Sequence, residues 1–87
     1  MRDTDYATEL ATADNDGCRI ERLRIKSTGE EEIRFSWWKE GRMMMRPLDL
    51  PESQLLDLFR EAIAKGVFKT EFLRDLHSAL YDMRGSQ

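Results

Sequence analysis

The chain has one cysteine, one histidine and two prolines among its 87 residues, and each scarcity excludes something. Cys18 alone cannot close an internal disulfide, which removes the secreted disulfide scaffolds and points to a reducing cytoplasm. His77 is the single histidine and no Cys-His couple stands at ligand spacing, so neither a metal nor another cofactor is expected. Lying one position after an apolar Leu76, His77 reads as a structural or solvated side chain. No phosphate-cradling glycine loop and no G-x-S-x-G nucleophile turn occurs, so the sequence names no catalytic residue and the expectation is a protein that is not an enzyme. No apolar run approaches the roughly 18 residues that a membrane span needs. Residues 2 to 16 carry Arg2, Asp3, Asp5, Glu9, Asp14 and Asp16 where a signal peptide would carry its apolar stretch. A cytoplasmic protein without membrane contact is the resulting expectation.

What is present is a small amphipathic chain, 40% hydrophobic and 36% charged, which suits a folded domain rather than a disordered one. A chain of this length buries only about 60% of the surface its unfolded form exposes, so a homodimer that shares a core is a natural way to gain stability. The formal charge of -3 is unevenly spread. Residues 1 to 17 sum to -4, residues 18 to 46 to +3 and residues 47 to 87 to -2. The basic middle segment either solvates an exposed strand face, which also discourages edge-to-edge aggregation, or attracts an anionic partner.

The middle segment is also where the aromatic and sulphur-containing side chains gather, from Ile33 to Leu48, with both tryptophans and the Met43-Met44-Met45 run. Its periodicity is that of strands. Ile33, Phe35 and Trp37 share one side and Arg34, Ser36 and Trp38 the other, as a period of two requires. Glu40-Gly41 reads as a tight turn into a strand of residues 42 to 47, with Met43 and Met45 on one side, Arg42, Met44 and Arg46 on the other, and Pro47 as its terminator. Upstream, residues 18 to 27 read as a strand in which Leu23 and Ile25 share a face, with Ile20 on the opposite one unless a bulge falls near Glu21-Arg22. Thr28-Gly29 turns the chain into the strand of residues 32 to 39. Glu30-Glu31-Glu32 sits at that turn as solvated carboxylates. Asp14-Asn15-Asp16-Gly17 is strong turn chemistry, so the acidic residues 1 to 17 form either a tail or an added edge strand.

Beyond Pro47 the period changes to that of helices. Pro51-Glu52 starts a helix of about residues 51 to 65, with Asp49 near enough to assist as a cap. Leu55, Leu56, Leu58, Phe59, Ala62 and Ile63 recur at helical spacing, and Gly66 followed by apolar Val67 marks a glycine C-cap. A second helix of about residues 70 to 84 aligns Phe72, Leu73, Leu76, Leu80 and Met83. A run of strands followed by a run of helices is α+β layering: an antiparallel meander of three strands, or four with the edge strand, then two packed C-terminal helices in one domain of residues 18 to 85. In that arrangement Ile33, Phe35, Trp37, Met43 and Met45 belong to the core beneath the helices.

The outward face is then the candidate binding face: Arg22, Arg24, Arg34, Trp38, Met44 and Arg46. Trp, Met and Arg together are the side chains enriched at protein interfaces, so self-association or a partner protein is the first expectation. An aromatic ring among guanidinium groups also stacks bases while neutralising phosphates, which makes single-stranded nucleic acid the alternative. Residues 18 to 65 bear on that alternative. The strand Arg19 to Ile25, the Thr28-Gly29 turn, the strand Glu32 to Trp38, the strand Arg42 to Pro47 and the helix led by Leu48-Asp49-Leu50-Pro51-Glu52 resemble the strand-strand-strand-helix order of the transcriptional coactivator family of positive-cofactor type. The resemblance covers about half the chain and implies a dimeric sheet that binds single-stranded DNA. The extra helix from Thr70 to Arg84 and the acidic total charge depart from that pattern.

Overall fold

The structure is a computed structural model that describes residues 2 to 44 and 47 to 84. It is an α+β fold: an antiparallel sheet followed by two helices. The strands are β1 (Ala7–Asn15), β2 (Cys18–Ile25), β3 (Glu31–Lys39), β4 (Arg42–Met43) and β5 (Leu48–Leu50), and the helices are α1 (Glu52–Ala64) and α2 (Thr70–Met83). The chain divides into two compact units, Met1–Leu56 and Asp57–Gln87, and each is described by itself.

In the first unit the sheet runs β1-β2-β3-β4, with β5 also pairing with β3. Two hairpins set its register. Asp16 and Gly17 have φ of 56° and 84°, and Glu40 and Gly41 have 53° and 77°, the left-handed pairs that a two-residue turn between right-twisted strands demands. Gly17 is doubly required, because a Cβ there would stand 2.9 Å from the Trp38 carbonyl oxygen, while the Trp38 N–H donates to the Gly17 carbonyl at 2.7 Å.

The acidic N-terminal stretch is a full edge strand, nine residues long, rather than a tail. Its hairpin with β2 is what turns Ala-Thr-rich sequence of low apparent amphipathicity into ordered structure. Residues 2 and 3 fold back along its outer edge through an Asp3–Thr8 bridge, and the Glu9 N–H donates to the Arg2 carbonyl at 2.8 Å. A register shift falls between Glu9 and Ala11 in β1, whereas β2 pairs with β3 without interruption. Ile20 accordingly sits opposite Phe35, on the face away from Leu23 and Ile25.

The stretch before α1 is a strand as well. Leu48, Asp49 and Leu50 pair with Phe35, Arg34 and Ile33, so Asp49 serves β3 rather than capping the helix. Strand β4 ends at Met43, short of the expected residue 47, and Met45 and Arg46 lie outside the described residues. The buried apolar cluster is Ala7, Leu23 and Ile25, with Ile33 buried on the opposite face between Arg22 and Leu50. Trp37, expected in the core, is 55% exposed. Its position explains this: β5 ends its pairing with β3 at Leu48 opposite Phe35, two residues before Trp37.

In the second unit Phe59 of α1, Phe68 of the connector and Phe72 of α2 stack in series, with centroids 5.2 Å and 5.1 Å apart. The α1 terminus is a Schellman cap. Gly66 has φ of 73°, its N–H donates to Ile63, and the Val67 N–H reaches back to the Ala62 carbonyl at 3.0 Å, which is the bonding the Gly66-Val67 pair promised.

Candidate functional site

Residues directly opposite one another in a sheet share a face, so the register sorts the candidate residues without ambiguity. One face carries Glu9 and Asp14 of β1, Arg19, Glu21, Leu23 and Ile25 of β2, Arg34, Ser36 and Trp38 of β3, Met43 of β4 and Asp49 of β5. This is the charged face. The other carries Ala13, Cys18, Ile20, Arg22 and Arg24, then Ile33, Phe35 and Trp37, then Leu48 and Leu50. This is the apolar face.

The six residues expected to form one binding face are divided between these two. Arg34 and Trp38 are on the charged face, whereas Arg22 and Arg24 are on the apolar one. Met44 joins the apolar side, lining a cleft beside Trp37, while Met43 stands opposite Trp38. The reason is the two-residue turn: it places Lys39 opposite Arg42 and Trp38 opposite Met43, which sets Met43 rather than Met44 beside Trp38. Arg46 lies outside the described residues.

On the charged face the polar groups satisfy one another. The Arg34 guanidinium donates to both Asp49 carboxylate oxygens, at 2.7 Å and 2.8 Å, and these bonds favour its charged form by more than burial disfavours it. Arg34 also lies over the Tyr6 ring. The Trp38 indole N–H donates to Ser36 Oγ at 2.9 Å, and the Ser36 hydroxyl donates on to Glu21 Oε1 at 3.1 Å. Two guanidinium groups, of Arg2 and Arg19, stand 4.8 Å and 4.0 Å from the centre of the Trp38 ring. Arg19 is itself held by Asp14 at 2.7 Å, and that pairing lowers the Asp14 carboxyl below its ordinary range.

Glu21 is the unusual member, a carboxyl group only 1% exposed. Desolvation, reinforced by the neighbouring Glu9 carboxyl, pushes it above the ordinary carboxylate range. Glu9 moves the other way, because the Arg2 backbone N–H donates to its Oε2 at 3.0 Å and favours the charged form. The two neighbouring carboxyls are thus displaced in opposite directions. A charged residue in the middle of a strand reads as solvent-facing, so sequence inspection passes over Glu21. The only advance signal is that it alternates with Leu23 and Ile25.

The apolar face is built differently. Ile20, Phe35, Trp37, Leu48, Met44 and Ala13 surround an open cleft of about 620 Å³, within the usual range for ligand-sized cavities. Ile20 is 49% exposed and Leu48 47%, so the cleft walls are wet. Farther along the same face Arg22 pairs with Glu31 at 2.9 Å and Glu52 at 2.7 Å, and Arg24 reaches Glu31 at 3.8 Å. Glu31 is therefore a strand residue with two cationic neighbours rather than a free turn carboxylate. Cys18 is exposed at the start of β2. Among the described residues, no group of three or more His, Cys, Asp or Glu side chains is placed to hold a metal ion, and no helix is long and apolar enough to cross a membrane.

No protein-family model, no curated protein and no solved structure matches this chain. The coactivator resemblance therefore rests on element order and the leucine-led stretch before α1.

Proposed function

We propose that this chain is a non-enzymatic interaction module that pairs with a second copy of itself through the apolar face of its sheet. The observation that carries this reading is the exposure of Ile20, Trp37 and Leu48 around a cleft of about 620 Å³, in a sheet whose buried apolar side chains number only four among the described residues. Each of these exposed side chains contributes roughly 1.5 to 3 kcal/mol if covered, so leaving them in water forgoes more than a chain this small can easily spare. A second copy is the favoured occupant because an isologous contact covers the same exposed side chains on both copies at once. On the same face Arg22 and Arg24 are paired with Glu31 and Glu52, so the charges there are balanced within each copy and do not oppose the approach of a second. An alternative, binding of single-stranded nucleic acid, has less support: Arg22, Arg24 and Arg34 already hold carboxylates, and Trp38 already carries two guanidinium groups.

Sedimentation analysis from low to high micromolar concentration tests the proposal. The expected result is a reversible dimer that Trp37→Ser converts to a monomer with an unchanged circular dichroism spectrum. A chain that stays monomeric throughout overturns self-association. Saturable, salt-sensitive binding of a labelled single-stranded oligonucleotide by the monomer would favour the nucleic-acid reading instead.

A further inference from the structure

The charged face contains a site that is filled, but filled badly. Glu21 has a fully buried side chain whose Oε1 accepts from Ser36, while its Oε2 has no hydrogen-bond partner. The group nearest that oxygen is the Arg2 guanidinium, with Nη2 at 3.7 Å, a charge contact beyond hydrogen-bonding reach. Arg2 Nε is likewise buried and unpartnered. The same sheet shows what a well-seated guanidinium looks like, in the bidentate Arg34–Asp49 pair at 2.7 Å and 2.8 Å. Arg2 and Glu21 have the same chemistry at their disposal and do not achieve it.

We propose that Glu21, Glu9 and Trp38 form a recognition site for a guanidinium group presented from outside the chain, with Arg2 as a loosely held internal occupant. The components suit a planar delocalised cation. One carboxylate oxygen of Glu21 is open to accept, Glu9 supplies negative charge beside it, and the Trp38 ring, fixed by its N–H bond to Ser36, offers a π face. Arg19 also contacts that ring, but its bond to Asp14 makes it a fixed part of the wall. Arg2 is the exchangeable cation, since its side chain is 33% exposed and makes no short bond. Burial and the neighbouring Glu9 raise the Glu21 carboxyl by more than Arg2, at this distance, lowers it.

The backbone of Arg2 is anchored independently of its side chain. Its N–H donates to Glu9 Oε2 at 3.0 Å and its carbonyl accepts from the Glu9 N–H at 2.8 Å. Arg2→Ala therefore empties the site while keeping the strand edge. This site lies on the face opposite the proposed dimer surface, and its test is independent of oligomeric state.

The experiment is a titration of full-length Arg2→Ala with methylguanidinium, arginine amide and a Gly-Arg-Gly peptide, read at the indole N–H resonances of the two tryptophans. The expected result is a saturable shift at Trp38 with Trp37 unmoved, at least tenfold weaker in the wild-type chain, where Arg2 competes, and lost when Glu21→Gln is added. Tighter binding of the peptide than of methylguanidinium identifies an arginine side chain of a partner as the source; the reverse order identifies a small guanidino compound. No saturable shift in Arg2→Ala, an equal response after Glu21→Gln, or equal binding of lysine amide overturns the proposal. Should Arg2→Ala fail to fold, Arg2→Gln is read by the same criteria.

Discussion

On one face of this sheet the charged side chains are inside and paired, and on the other the apolar side chains are outside and wet. Glu21 and Arg34 are buried while Trp37 and Ile20 are exposed, the reverse of what their chemistry prefers in isolation. The comparison teaches that strand periodicity sorts side chains into two sets but does not say which set will be covered. Covering is decided by what else arrives. On the charged face Asp49, fifteen residues from Arg34, brings the carboxylate that makes burial tolerable, and Arg2 reaches over Trp38. On the apolar face β5 reaches only as far as Phe35, and the cleft beyond it stays open.

If burial on the charged face is what holds the sheet together, the largest effect comes from Leu23, which is 1% exposed. Leu23→Ala is expected to destabilise by about 2 to 5 kcal/mol in urea unfolding, whereas Ile20→Ala, on the wet face of the same strand, is expected to cost the isolated monomer only about 0.5 kcal/mol. Comparable losses from the two would break the distinction between the faces. Next in size is the ion pair. Arg34→Ala strands Asp49, 18% exposed at its side chain, and is expected to cost about 3 kcal/mol. Arg34→Met combined with Asp49→Leu removes both charges and is expected to recover most of that loss, because the penalty lies in the orphaned partner rather than in the absent attraction.

Much of this architecture was legible beforehand, and the reasons are local. Asp16-Gly17 and Glu40-Gly41 announce their turns because a left-handed pair needs glycine at its second position, and Gly66 before apolar Val67 announces the cap because a single left-handed residue ends the helix. The alternation of Ile33 to Trp38 correctly separated the two faces of β3. What escaped notice depends on distant residues. Leu48-Asp49-Leu50 is too short, and too closely flanked by Pro47 and Pro51, to show a period, yet it is a strand because β3 offers an unfilled edge. With β5 unseen, Arg34 had no visible partner and read as a solvent-facing cation. Glu21 read the same way, since neither the Glu9 register nor the reach of Arg2 can be inferred from spacing. The assignment of Trp37 to the core and of Trp38 to the open surface followed from these omissions. Trp38 is half-buried among guanidinium groups, and Trp37 is the ring left open.

The smallest effect sharpens the comparison most, because it separates the two carboxyls of the charged face by sign. Glu21 titrates above its ordinary value of 4.5 in the folded chain, so between that value and its raised one the native state binds more protons than the unfolded state. Its contribution to stability is therefore complete below pH 4.5 and is lost as pH rises through the folded value. Glu9 is lowered, so its contribution is present above pH 4.5 and is lost as pH falls. Urea midpoints measured on either side of pH 4.5 should decline in both directions, with Glu21→Gln abolishing only the decline on the alkaline side. If Glu21→Gln instead left that limb intact, the folded chain would not be raising the Glu21 carboxyl. Its buried oxygen would then need a cation better placed than Arg2 at 3.7 Å.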